Sequence, residues 1–140
     1  MAISSGIAIK FKEDTLLGVH DFASATFKIA LYTSVASLSN GTSVYLTSAE
    51  VSNGGGYTTG GRVVTVSDIT IDGSVAYIDF DDASWTSATF TAAGCLIYNS
   101  SQSNKTVAVI DFGGDKTATN GTFSVQFPAP GATTAIVRVT

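Results

Sequence analysis

The stretch Ile69-Thr70-Ile71-Asp72-Gly73-Ser74-Val75-Ala76-Tyr77-Ile78-Asp79-Phe80 decides the fold class of this chain. Asp72-Gly73 supplies the positive-φ residues of a tight turn. Beyond the turn, Ala76, Ile78 and Phe80 alternate with Val75, Tyr77 and Asp79, so they share one face of a strand. The stretch predicts a β-hairpin with one face suited to a core.

The same period of two recurs along the chain. Phe27, Ile29 and Leu31 alternate with Lys28, Ala30 and Tyr32. Val107, Val109 and Asp111 oppose Ala108, Ile110 and Phe112; Phe123, Val125 and Phe127 oppose Ser124 and Gln126; Ile136 and Arg138 oppose Val137 and Val139. Asn40-Gly41 and Asn120-Gly121 add turn signals, Asn99 to Asn104 reads as a polar loop, and Pro128 and Pro130 close the strand before them. Helical periods are short: Glu13 to Val19, and Ser48 to Ser52. The expectation is one all-β domain over residues 1–140. Its architecture is a two-layer antiparallel sandwich, with a jelly roll preferred over an immunoglobulin-like order. Residues 1–26 are read as a strand or arm. Ile7, Ile9 and Phe11 either form the first strand of the sandwich or belong to an arm, Gly6 to Lys12, that pairs with a partner's sheet edge.

Composition narrows the function. The chain has 140 residues, enough for one core without staples, and a single cysteine, so no intramolecular disulfide is possible. Charged residues are 13% of the chain, about half the usual share, so hydroxyls, Gly and Asn must cover much of the surface. Net charge is −4 with seven scattered Lys and Arg, which argues against a nucleic-acid footprint. No apolar run reaches the ~20 residues of a membrane span. Met1 to Lys12 lacks a secretory apolar core, which predicts synthesis in a cytoplasm. High mean hydropathy (+0.30) with few charges points to surface buried against partners.

Candidate chemistry is sparse. His20 is the only histidine; with Asp21 it could form a base and its orienter, but adjacent residues rarely take that geometry, and an interface or structural role is the expectation. Cys95 lies in the apolar run Ala92 to Tyr98 and reads as a small buried hydrophobe. Asp79, Asp81 and Asp82 could be half of a glycosidase pair or an ion site; a solvated face running into a turn is the favoured reading. Asn53-Gly54-Gly55-Gly56-Tyr57 and Gly60-Gly61 match no phosphate or dinucleotide motif and read as a flexible loop. Trp85 reads as core. One Cys and one His cannot make a zinc site, so no metal, no cofactor and no catalytic residue is assigned.

Three groups of phrases carry a resemblance. The first is Phe27 to Ser34 with Glu50-Val51-Ser52 and Gly56-Tyr57-Thr58-Thr59-Gly60-Gly61; the second is Asp82-Ala83-Ser84-Trp85-Thr86-Ser87-Ala88-Thr89. The third comprises Leu96-Ile97-Tyr98-Asn99, Val107 to Lys116, and Phe123-Ser124-Val125-Gln126-Phe127-Pro128. Over Phe27 to Pro128 the chain resembles small structural proteins of tailed bacteriophages, most of all capsid cement (head-decoration) proteins. These are strand and turn phrases rather than catalytic signatures. The resemblance implies a non-enzymatic β-sandwich made in the host cytoplasm and carried on the exterior of the virion capsid. Its implied partner is the major capsid protein, and it implies a homo-oligomer, dimer or trimer, with neither nucleic acid nor membrane bound. Candidate partner contacts are Ile9, Lys10, Phe11, Lys12, His20 and Tyr57. The alternative is a tail or fibre component whose exposed Tyr57 and Tyr98 face a carbohydrate or receptor.

Overall fold

The computed structural model describes residues 2–128, 131 and 133–139; Pro130 lies outside them. The elements in chain order are β1 (Gly6–Ile7), α1 (Ile9–Leu16), β2 (Phe27–Tyr32), β3 (Arg62–Val64), β4 (Val66–Asp72), β5 (Val75–Phe80), β6 (Ala83–Asn99), β7 (Lys105–Val125) and β8 (Val137–Val139). They form two antiparallel sheets, a five-stranded one ordered β1-β7-β6-β2-β3 and a three-stranded one ordered β4-β5-β8. The chain is thus all-β with antiparallel sheets, as the alternation requires. The strand orders give no reason to prefer a jelly roll over an immunoglobulin-like sandwich.

The Asp72-Gly73 hairpin forms as read, with Asp72 opposite Val75 and Ile69 opposite Ile78. The Asn120-Gly121 signal has a different outcome. It sits inside β7 as an irregularity, with Asn120 at φ 49° and Gly121 opposite Ala88. Phrases that read as separate strands run on as two long ones, β6 of 17 residues and β7 of 21. Extra residues are absorbed as bulges: Ala92 pairs with Lys116 but Gly94 pairs with Asp111, so Phe112 to Asp115 loop out of β7. A turn dipeptide bends a chain locally; whether it ends the ladder depends on the strand alongside.

Two cores result. Between the sheets, Phe27, Ile29 and Leu31 of β2 and Cys95 and Ile97 of β6 cluster with Ile78, Phe80 and Val137, and Trp85 joins them. The opposite face of the large sheet is also covered. Ala30, Tyr32, Leu96, Tyr98 and Val109 are buried there against Ala36 and Leu38, with Ile3, Tyr45 and Ala49 alongside. Residues 33–49 fold back over that face, while Val51 and Tyr57 join the core between the sheets, so β2 is buried on both sides although its sequence alternates.

The N-terminus departs from the strand and arm readings. Only Gly6 and Ile7 pair, with Val109 and Ala108 of β7. The chain then turns helical, and the spacing that matters is three: Ala8, Phe11 and Asp14 are buried while Ile9 is 57% exposed. A short alternation of apolar residues does not fix a period. Gly18, at φ 72°, ends the helix, and the Val19 N–H donates to the Asp14 carbonyl. The Ser48 to Ser52 segment forms no helix; Glu50 bridges to Tyr32 instead.

The glycine-rich segment is packed against the sheet. A Cβ on Gly61 would lie 1.8 Å from the Ile29 carbonyl oxygen, and one on Gly55 would lie 2.4 Å from the Thr89 carbonyl oxygen. Both have positive φ, 80° and 58°. Gly61→Ala combines a left-handed backbone with a backbone clash, and it should lower stability by at least about 3 kcal/mol. Urea unfolding followed by tryptophan fluorescence measures it; Gly18→Ala, which meets no atom within 4 Å, should cost less.

Candidate interaction surface

The residues marked from sequence scatter over the fold. Ile9, Lys10 and Lys12 lie on the solvent face of α1, where Ile9, Lys10 and Glu13 meet Asn40 and Gly41 around a shallow depression. Lys10 pairs with Glu13 and lies 3.4 Å from Asp14 Oδ1. Phe11 and Tyr57 are buried in the chain's own core, at 5% and 2% exposure, so neither offers an accessible contact. The alternation that suggested an exposed Phe11 belongs to a helix, and Tyr57 is drawn inward by a hydrogen-bond network.

That network centres on Glu50. Its carboxylate accepts hydrogen bonds from Tyr45 Oη and Tyr57 Oη, both at 2.6 Å, and from the Gly60 N–H at 2.7 Å. Tyr57 Oη also accepts the Leu31 N–H, and Tyr98 Oη donates to the Gly60 carbonyl. Burial pushes the Tyr98 hydroxyl up to about 12, with Glu50 adding to the rise; burial and Glu50 push Tyr45 and Tyr57 up as well. These phenols stay protonated donors. Tyr98 is 3% exposed, so the surface pairing of Tyr57 with Tyr98 expected of a carbohydrate platform does not form. Glu50 therefore ties the outer layer, through Tyr45, to Tyr57 and Gly60 beside β2. Glu50→Ala leaves three donors without their acceptor and should cost about 2–4 kcal/mol, with Glu50→Gln milder, both read from urea midpoints.

His20 and Asp21 do not act together. Asp21 accepts from the Ala23 N–H and Ser24 Oγ in its own turn, which holds its carboxyl below the usual range. The His20 imidazole is shielded from solvent and packs against the Phe11, Phe22 and Phe27 rings. Its Nδ1 lies 3.1 Å from Asn99 Nδ2, and its Nε2 lies 3.8 Å from the buried Asp14 carboxylate. Asn99 must be the donor there, which leaves the proton of a neutral imidazole on Nε2, facing Asp14. Burial lowers the His20 pKa; Asp14 opposes the shift and Lys105 adds to it.

The sign of the pH dependence follows from that lowered value. Below the unfolded pKa, ~6.5, the unfolded chain takes up a proton that the folded chain resists. The stabilisation carried by neutral His20 is thus present above ~6.5 and is lost as pH falls from there towards the lower folded pKa. His20→Gln should flatten the stability profile between about pH 7 and 5. Urea unfolding at a series of pH values tests it.

The other marked groups are structural. Cys95 is fully buried, and burial pushes its thiol up, away from the reactive thiolate. Trp85 is core, at 5% exposure. Asp79 Oδ2 accepts from Ser67 Oγ at 2.9 Å, and Asp82 Oδ1 accepts the Phe127 N–H at 2.9 Å, so two of the three carboxylates brace neighbouring strands. Among the described residues no group of three or more His, Cys, Asp or Glu could hold a metal ion.

The features built for contact were not legible as motifs. β1 covers β7 at Ala108 and Val109, the Ala8 N–H donates to the Val107 carbonyl, Val44 bridges to Lys105, and Ser5 Oγ accepts the Asp111 N–H; from Phe112 onward no strand of the described residues pairs with this side of β7. Along this open edge runs a groove of about 550 Å³ between the sheets, lined by Ile110, Phe112, Ala118, Phe123, Phe127 and Ile136 among others. A second open edge is β4, at the rim of the small sheet. Ile71, Ala76 and Val139 form a row across the three strands of that sheet, one step beyond the row Ile69, Ile78 and Val137. Ile78 and Val137 are core, whereas Ile69, Ile71 and Val139 are 51%, 77% and 60% exposed. The apolar face of the small sheet therefore overhangs the core.

No family model, curated protein or solved structure matches this chain.

Proposed function

We propose that this protein is a non-enzymatic structural component of a tailed-bacteriophage virion, bound to the outside of the capsid and stabilising contacts between major capsid subunits. The observation that carries the reading is a charge-poor, hydroxyl-rich body of two sheets that leaves an apolar groove and unpaired strand edges open to partners. The cement-like phrases between Phe27 and Pro128 supply the class of partner. The mechanism is differential binding: a protein with affinity only for the expanded shell stabilises that shell by mass action, multiplied over many joints. The solvent face of α1, with Ile9, Lys10 and Lys12, is the surface assigned to the shell. The sole histidine is internal to the fold and takes no part.

Immunogold labelling of phage particles made by cells that express this chain tests the location. Label on heads supports the reading, and label confined to tails or absent from particles overturns it. The triple variant Ile9→Asp, Lys10→Glu, Lys12→Glu should lose at least tenfold in co-sedimentation with those heads while keeping the wild-type circular dichroism spectrum.

A further inference from the structure

We propose that a second copy of this chain lays its β4 edge along the open side of β7 and seats Ile69 and Ile71 in the groove there. The contact stands apart from the virion reading, since self-association is measured on the purified protein alone.

The two surfaces are complementary in three respects. The first is backbone. Among the described residues, both β4 and the distal part of β7 end their sheets with one side unpaired, and each carries a row of N–H and C=O groups that another strand satisfies. The second is apolar shape. β4 is a seven-residue strand whose exposed Ile69 and Ile71 share one face, and the groove beside β7 is lined by Phe112, Ala118 and Phe123. A strand added to β7 with its isoleucines turned inward covers both apolar surfaces together. The third is charge. Lys116 is the one charged residue lining the groove, and β4 carries Asp68 and Asp72 with no cation. Asp111 precedes the bulge and Asp115 lies within it, and neither lines the groove.

Charge also decides against the symmetric alternative. If two β4 edges paired about Ile69, Asp68 would face Thr70 and Asp72 would face Val66 of the other copy. Four carboxylates would then crowd one face of the new ribbon. Those aspartates guard β4 against its own copy and leave it open to the edge that bears Lys116. The resulting contact is head to tail: each added copy uses one of its two surfaces and leaves the other free, so the assembly always carries one free β4 and one free groove and growth ends only by closing a ring.

Cross-linking of the full chain tests the geometry, because Cys95 is fully buried and stays silent. A mixture of Ile71→Cys with Ala118→Cys, which lines the groove on the face that Ile71 is turned toward, treated with a short bismaleimide, should give a joined pair, and each variant alone should give none. In sedimentation, wild type should associate with rising concentration. Ile71→Asp should weaken association at least tenfold without shifting the melting temperature, since Ile71 is exposed. Lys116→Glu should weaken it most at low salt. A wild type that stays monomeric to millimolar concentration overturns the proposal, as does Ile71→Cys cross-linking to itself, which would mean that β4 pairs with β4.

Discussion

The pairing of β6 with β7 is the constraint on which the rest of the structure depends. It joins Ala83 opposite Val125 at one end to Asn99 opposite Lys105 at the other. The rest of the large sheet builds outward from this ribbon, β2 on the β6 side with β3 beyond it, and β1 on the β7 side. A ribbon of that length outruns the body it crosses. Where β2 and residues 33–49 cover it, every residue from Ala92 to Tyr98 is buried, in layers that meet on both faces. Where they do not, β7 is left with an edge and a groove. The stable part and the sticky part of the molecule are two ends of one hairpin.

Covering the outer face required a polar anchor. Residues 33–61 contain little regular structure, and a backbone with few ladder bonds needs other partners when it is buried. Glu50 supplies them by accepting from two tyrosines and a backbone N–H at once, and the glycines let the backbone approach to contact distance. The His20 region is the same problem solved less completely. Asn99 satisfies one imidazole nitrogen, while the other faces the Asp14 carboxylate at a distance too long for a hydrogen bond. Burial of this imperfectly paired group is what lowers the His20 pKa.

Charge placement separates what the protein holds from what it leaves open. Asp79 and Asp82 are occupied by strand contacts, and Glu50 by the outer layer. Asp68 and Asp72 have no comparable partner among the described residues and sit on the one long exposed edge of the small sheet. An edge with isoleucine on one face and aspartate on the other is selective: it repels its own copy and accepts an apolar groove with a cation beside it.

The sequence by itself determined the strand class, the Asp72-Gly73 hairpin, the inward residues Phe27, Ile29, Leu31, Ile78 and Phe80, and the buried roles of Cys95 and Trp85. Each follows from a local rule, a period of two or a residue's own φ preference, and needs no distant partner. Tertiary structure decided what depends on a second surface. Ala30 and Tyr32 fall on the strand face opposite Phe27, Ile29 and Leu31, and only residues 33–49 make that face a second core. Ile9 and Phe11 read as a strand until Ala8, Phe11 and Asp14 pack at helical spacing. Tyr57 reads as exposed until Glu50 draws it in. The groove beside β7 has no sequence signature, because it is made by a partner strand ending early, and the length of a ladder is a property of two strands together.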